Sequence, residues 1–167
     1  MLLSLRYVSL IWGNVIIESS AKIRFSIIRG NINIGPKASI YRCDIYGNAV
    51  IGEATSLTGP GLYIHSVDKT VTIKSFVSIA PGVQIITSGH DLKAPSTSFS
   101  AGGKKTESNI EIGSHSWIGT GAIVTEGSKF DDYCVVASGG VAVGKHYGGR
   151  IIWGGVPLRK IGDYHAD

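Results

Sequence analysis

Residues 112–136 read IGSHSWIGTGAIVTEGSKFDDYCVV, and the spacing within them decides how the chain folds. An aliphatic or aromatic residue returns every sixth position, at Ile112, Ile118, Val124, Phe130 and Val136. Glycine follows the first two, as Gly113 and Gly119. A small residue stands four places after several of them, as Ser116, Ala122 and Ser128. An α-helix repeats about every 3.6 residues and a hairpin sheet alternates, so neither accommodates this pattern. It fits an all-β, three-sided solenoid in which each flat wall uses roughly six residues. The recurring apolar residue fills the axis, and glycine or another small residue lets the chain turn the corner.

The repeat extends outward in both directions. Upstream, Ile17, Ile23, Ile28, Ile34 and Ile40 keep nearly the same spacing, with a slip at Ile27-Ile28 and another at Ile45 before Ile51-Gly52 and Leu57. Thr58–Lys69 contains Gly59-Pro60-Gly61, a turn signal that predicts a loop leaving the coil. Ile73, Ile79 and Ile85 then resume the period, with Ala80-Pro81-Gly82 at a corner. Gly89–Asn109 is the largest interruption, without aliphatic periodicity, and predicts a protruding functional loop. The segment from Ile151 onward lacks hexad spacing and predicts a short C-terminal cap. The expectation is one β-helix domain over residues 1–167.

Composition agrees. With 43% hydrophobic residues, 17% charged and 23 glycines in 167, the chain is not a disordered one. The net charge of +4 is modest and scattered rather than striped, so it gives no sign of a nucleic-acid partner, and none is expected. Cys43 and Cys134 fall in hexad slots of different repeats, so both should be small buried groups in a reducing compartment. Met1–Trp12 is apolar but short, carries Arg6, and reads as a first capping coil, neither a signal peptide nor a membrane span. A cytoplasmic location is expected.

Three segments carry a resemblance. The stretch from Ile112 to Val124 is similar to the signature of hexapeptide-repeat acyltransferases. Thr87-Ser88-Gly89-His90 and Gly154-Gly155-Val156-Pro157-Leu158-Arg159-Lys160-Ile161 resemble two further motifs of the maltose, galactoside and xenobiotic acetyltransferase branch. The three stand in the family's order within about residues 60 to 162. The resemblance implies a left-handed parallel β-helix, a homotrimer with sites between subunits, acetyl-CoA as co-substrate and a carbohydrate acceptor. That handedness runs against the usual rule for parallel crossovers and rests on the resemblance alone.

It also implies roles for residues. His90 matches the catalytic histidine, and an imidazole titrating near neutrality suits deprotonation of an alcohol as it attacks a thioester. Asp91 could orient that ring or touch the acceptor, and His65, in the earlier interruption, could line the acceptor pocket. Trp117 should point away from the axis and lie near the acetyl group. Thr120, Ser138 and Gly139 match backbone contacts to the thioester and pantetheine arm. Lys145, Arg159 and Lys160 could pair with coenzyme A phosphates, although Val143-Gly144-Lys145 replaces the branch's threonine-lysine pair. Lys104 and Lys105 sit in the long loop as solvated residues or contacts to an anionic acceptor. His115 falls on an outward, solvated slot, and His146 and His165 receive no role.

The reading from sequence is therefore an O-acetyltransferase acting on a carbohydrate hydroxyl, such as one in a surface polysaccharide. The alternatives are N-acylation of a nucleotide-linked amino sugar, which calls for an added carboxylate near His90 (Asp68, Asp91 and Glu107 being the candidates), a zinc anhydrase using His65, His90 and His115, and a non-catalytic scaffold. No metal is expected for the leading reading.

Overall fold

A computed structural model describes residues 8–91, 93 and 105–165. The described residues hold strands, turns and bends but no helix. They form a left-handed parallel β-helix of about seven turns.

Each turn crosses three walls. On the first lie Lys22–Arg24, Ser78–Ile79, Trp117–Ile118, Val135–Val136 and Ile151–Gly154; on the second, Gln84–Ile86, Ile123–Val124 and Val141–Ala142; on the third, Ile110–Ile112, Lys129–Phe130 and His146–Tyr147. The longer strands Leu10–Ile17, Ile27–Ile34, Ser39–Ile51 and Ser56–Ile73 run around more than one wall. Nearly all pairing is parallel, coil on coil. Leu10 lies beside Ile27 and Ile27 beside Asp44, a turn of 17 residues. Toward the C-terminus Trp117 lies beside Val135 and Ile123 beside Val141, a turn of 18. The two slips read at Ile28 and Ile45 are this difference: one face of each early coil is a residue short.

The core is the stack of inward residues. Ile40, Leu57, Ile79, Ile118 and Val136 line the first wall, Ile28, Ile45, Ile64, Ile85 and Val124 the second, and Ile34, Ile51, Ile73, Ile112 and Phe130 the third, all buried. Each such side chain contributes roughly 1.5–3 kcal/mol by leaving water. Cys43 and Cys134 are buried and unbridged, as their slots required.

One expectation needs correction. Thr58–Lys69 does not leave the coil: it belongs to the strand Ser56–Ile73, whose register shifts twice against Ser39–Ile51. Arg42 faces the extra residues around Gly59-Pro60, and Val67, Asp68 and Lys69 bulge between the pairs Gly47–Ser66 and Asn48–Thr70. Inward residues Leu62 and Ile64 on one side and Val71 and Ile73 on the other hold the strand in the wall despite the turn signal. The segment from 89 to 109 departs from the coil as expected, leaving as Ser88–His90 and returning as Lys105–Glu107, paired as an antiparallel ribbon. Residues 92 and 94–104, including Lys104, lie outside the described residues. At the C-terminus, Arg159–Asp163 folds back antiparallel on Ile151–Gly154, and Leu158 is buried against the core, which is the expected cap.

The corner between the second and third walls is tightest in the early coils. Gly13, Gly30 and Gly47 stack there with φ of 101°, 129° and 100°. A Cβ on Gly47 would collide with the carbonyl of Ser66 in the next coil. Asparagines follow each glycine, and Asn14 Nδ2 donates to Asn31 Oδ1 at 2.8 Å. Gly47→Ala should therefore cost about 3 kcal/mol or more, from backbone strain and overpacking together. Chemical denaturation measures this, and an unshifted midpoint would contradict the stacking.

Candidate functional site

The ribbon bearing His90 emerges at the same corner, one coil after the Val67–Lys69 bulge. Its base is closed by the Ser108 amide donating to the Thr87 carbonyl at 3.1 Å, and the Thr87 amide in turn bonds His65 O at 3.1 Å. Three rungs follow: Ser88 opposite Glu107, Gly89 opposite Thr106, and His90 opposite Lys105. His90 and Lys105 are both exposed at the third rung. The coil therefore carries an imidazole outward on a short, hydrogen-bonded lever.

Asp91 stands next on the ribbon, and its carboxylate accepts from the Lys93 amide at 3.0 Å, a local turn. His65 belongs to the second wall. Its ring stacks on Tyr46 (centroids 5.2 Å) and lies parallel to Tyr63 (5.7 Å). Below Tyr46 the same column continues with the Arg29 guanidinium, 4.4 Å from the Tyr46 centroid and 5.9 Å from that of Trp12. Arg29 Nε and Asp44 Oδ1 on this wall are buried without a hydrogen-bond partner. A half-buried aromatic and charged surface thus leads along the axis toward the ribbon.

The residues matched to coenzyme A gather elsewhere. Trp117 points outward from the first wall and is half exposed. Thr120, Ser138 and Gly139 occupy the next corner, between the first and second walls, and are exposed. Gly61, Gly82, Gly121 and Gly139 stack along that corner, leaving a strip of bare backbone. The Gly139 amide is already committed to the Thr120 carbonyl at 2.8 Å, so it is no donor to a ligand. Arg159 and Lys160 are exposed on the capping strand beside the first wall, and Lys160 pairs with Asp163 at 2.6 Å. That ammonium holds the Asp163 carboxyl below its usual range. Lys145 stands apart from them, exposed at the second-to-third-wall corner two coils beyond the ribbon.

One chain therefore brings His90, Asp91 and His65 to one side of the second wall and Trp117, Thr120, Ser138 and Gly139 to the other. Among the described residues nothing joins the two groups. His115 is exposed at the third corner, but not as a lone solvated ring: it stacks between Phe76 (5.0 Å) and Tyr133 (4.8 Å), with Arg150 over Tyr133. Three positive-φ residues, Phe76, His115 and Tyr133, share this corner in successive coils, which is why their rings align. His65, His90 and His115 thus do not converge within one chain, and among the described residues no group of three metal-binding side chains forms.

Sequence reading missed Glu126. It follows the second wall in the coil after the ribbon, and Thr106 Oγ1 donates to its Oε1 at 2.9 Å. Its spacing is that of an ordinary corner residue, so no motif marked it.

The architecture defines a class, the hexapeptide-repeat β-solenoids. No protein-family model matches the chain. Over 94 residues it is 32% identical to galactoside O-acetyltransferase from Escherichia coli (strain K12), a match covering 56% of this chain and 44% of that protein. The chain thus spans under half the length of this curated relative. A solved structure of a variant of AntD, an N-acyltransferase from Bacillus cereus in complex with dTDP and coenzyme A, superposes with a TM-score of 0.71 at 19% identity, over 95% of this chain and 85% of that one. A hexapeptide transferase family protein from Anaplasma phagocytophilum gives 0.66 at 17% identity, over 96% and 86%. The resemblance to hexapeptide-repeat acyltransferases is thereby borne out in sequence and in fold.

Neither cysteine is available as an acyl-accepting nucleophile. Burial pushes both thiols up to about 12, so almost no thiolate exists near neutrality. A disulfide reagent at pH 8 should leave both unlabelled in the native protein and label both after denaturation. Rapid labelling of the folded chain would contradict this burial.

Proposed function

We propose that this protein is an acyl-CoA-dependent acyltransferase that moves an acetyl group from acetyl-CoA to a hydroxyl of a carbohydrate. The observation that carries the reading is His90, held outward on an ordered ribbon in a chain whose sequence relative is a galactoside O-acetyltransferase.

The chemistry needs one base, one channel and an acceptor surface. The acceptor hydroxyl loses its proton to the His90 imidazole as its oxygen bonds to the thioester carbonyl carbon. The carbon–sulfur bond then breaks, and the departing sulfur takes the proton from the imidazolium. The bare glycine strip along the first corner is flat enough for a pantetheine arm, with Trp117 and Thr120 near the thioester and Ser138 and Gly139 along the arm. Arg159, and Lys160 once released from Asp163, would meet phosphates at the capping end. The stacked surface of Tyr46, His65 and Tyr63 would hold the acceptor beside the ribbon, with Asp91 within reach.

These groups occupy opposite edges of the second wall, so the site is completed when the strip of one copy faces the ribbon of another. A cyclic homotrimer closes three such sites. Lys145, on the ribbon side, would then reach the cofactor bound along a neighbouring copy. A cytoplasmic location, where acetyl-CoA is at hand, belongs to this reading. No helix among the described residues is long and apolar enough to cross a membrane.

A second reading is N-acylation of an amino group on a nucleotide-linked sugar. It draws on the likeness to AntD over nearly the whole chain, and on Glu126, a carboxylate at the ribbon that the sequence had not marked.

His90→Ala should lower turnover on the order of 10²–10⁴-fold, with the thermal transition unmoved. Acetyl-CoA consumption measured against a panel of sugars, amino sugars and nucleotide sugars checks both the reaction and the acceptor. Undiminished turnover in the variant would remove His90 from the mechanism, and preference for an amine would favour the second reading.

A further inference from the structure

Glu126 grips the ribbon from outside it. Its carboxylate oxygen Oε1 accepts the Thr106 hydroxyl at 2.9 Å, and a Cβ on Gly89 would lie 2.5 Å from the same oxygen. Gly89 and Thr106 face each other across the ribbon, in the rung immediately before His90 and Lys105. One carboxylate oxygen therefore rests against both strands at the second of three rungs.

Glu126 belongs to the solenoid and not to the ribbon. It is fixed to the solenoid, since its neighbour Thr125 donates its amide to the Ala142 carbonyl at 3.1 Å and Ser128 closes the corner on Thr125 at 3.3 Å. Further bonds hold the ribbon at its base: the Ser108 amide to the Thr87 carbonyl, the Thr87 amide to the His65 carbonyl and, just beyond, the Thr70 amide to Asn109 Oδ1. The Glu126–Thr106 bond holds it farther out, at the second rung, and so bears on how far the third rung stands from the wall. Gly89 fits the same account: its φ lies outside the left-handed region, and its bare Cα leaves room for the Glu126 carboxylate to pack against that strand.

We propose that Glu126 is a positioning residue: acting as a hydrogen-bond acceptor for Thr106, it clamps the ribbon and sets where His90 stands. This rests on the reading of His90 as the base. Misplacement of a reacting group by about 1 Å costs on the order of 10²-fold in rate, so the clamp is kinetically visible.

The variants separate a clamp from a charge. Glu126→Gln keeps an acceptor oxygen and removes the charge; Glu126→Ala removes both; Thr106→Val removes the donor. Steady-state kinetics with acetyl-CoA and the best acceptor from the panel should show kcat falling about 10- to 100-fold in Glu126→Ala and in Thr106→Val. KM for acetyl-CoA should stay within about twofold and the double variant should be no worse than either single one. Glu126→Gln should retain kcat within about threefold, because the bond to Thr106 survives. Amide hydrogen exchange supplies a readout independent of turnover: exchange across 88–90 and 105–107 should quicken in Glu126→Ala, with the thermal midpoint unchanged. A Glu126→Ala protein with wild-type kcat and exchange would overturn the clamp while leaving His90 as base. Loss of kcat in Glu126→Gln equal to that in Glu126→Ala, with a shifted pH–rate profile, would overturn it in favour of a direct electrostatic role. A wild-type protein inert toward every acceptor would overturn the acyltransferase reading, and the exchange result would still decide whether Glu126 holds the ribbon.

Discussion

The hydrogen-bond ladder between successive coils governs this molecule. Each wall residue is bonded to the residues one turn earlier and one turn later, and each inward aliphatic side chain sits on its counterparts above and below. A residue added within a wall would turn every later side chain of that wall to the wrong face. Extra length is therefore tolerated only at corners. The chain uses that freedom three times, around Gly59-Pro60, at Val67–Lys69, and in the excursion that begins at Gly89. The last two fall on the same corner in consecutive coils, so the corner with the larger irregular excursions is also where the candidate base is displayed.

The ladder also keeps the proposed parts of the site apart. Trp117, Thr120, Ser138 and Gly139 are held along one edge of the second wall and the ribbon along the other, and a rigid wall cannot bend them together. Among the described residues the two groups share no pocket. A concavity of the isolated chain lined by Lys74, Glu111, Lys129, Asp132 and Tyr133 lies on the third wall instead. Its charges answer one another: Lys74 pairs with Glu111 at 2.9 Å and lowers that carboxyl's proton affinity, and Lys129 reaches it at 3.6 Å. This ladder of exposed ion pairs is worth at most about 1 kcal/mol per pair and solvates the wall.

Much of this is legible in the sequence. Hexad spacing gives the walls because only one register buries Ile112, Ile118, Val124, Phe130 and Val136 together. The 17-residue turns showed as slips at Ile28 and Ile45. Gly59-Pro60-Gly61 misled because local turn chemistry says nothing of flanking Leu57, Leu62 and Ile64, whose burial holds the strand in place. The candidate site was legible only in part. His90 came through a motif, whereas Glu126 is set against Gly89 and Thr106 by the stacking of coils, which brings together residues far apart in sequence. His115 shows the same limit: its slot was legible, but not its stacking between Phe76 and Tyr133, which belong to neighbouring coils.

The central claim, that a strip on one copy and a ribbon on another make one site, is open to a complementation measurement. Two inert proteins are prepared, one lacking the base through His90→Ala and one with the strip blocked through Ser138→Trp, and they are dissociated together and reassembled. Interfaces pairing the intact ribbon of one with the intact strip of the other should restore about a quarter of wild-type turnover at equal mixing. A mixture as inert as its two parents, from variants that each still assemble, would mean that the site lies within a single chain and that the account is wrong.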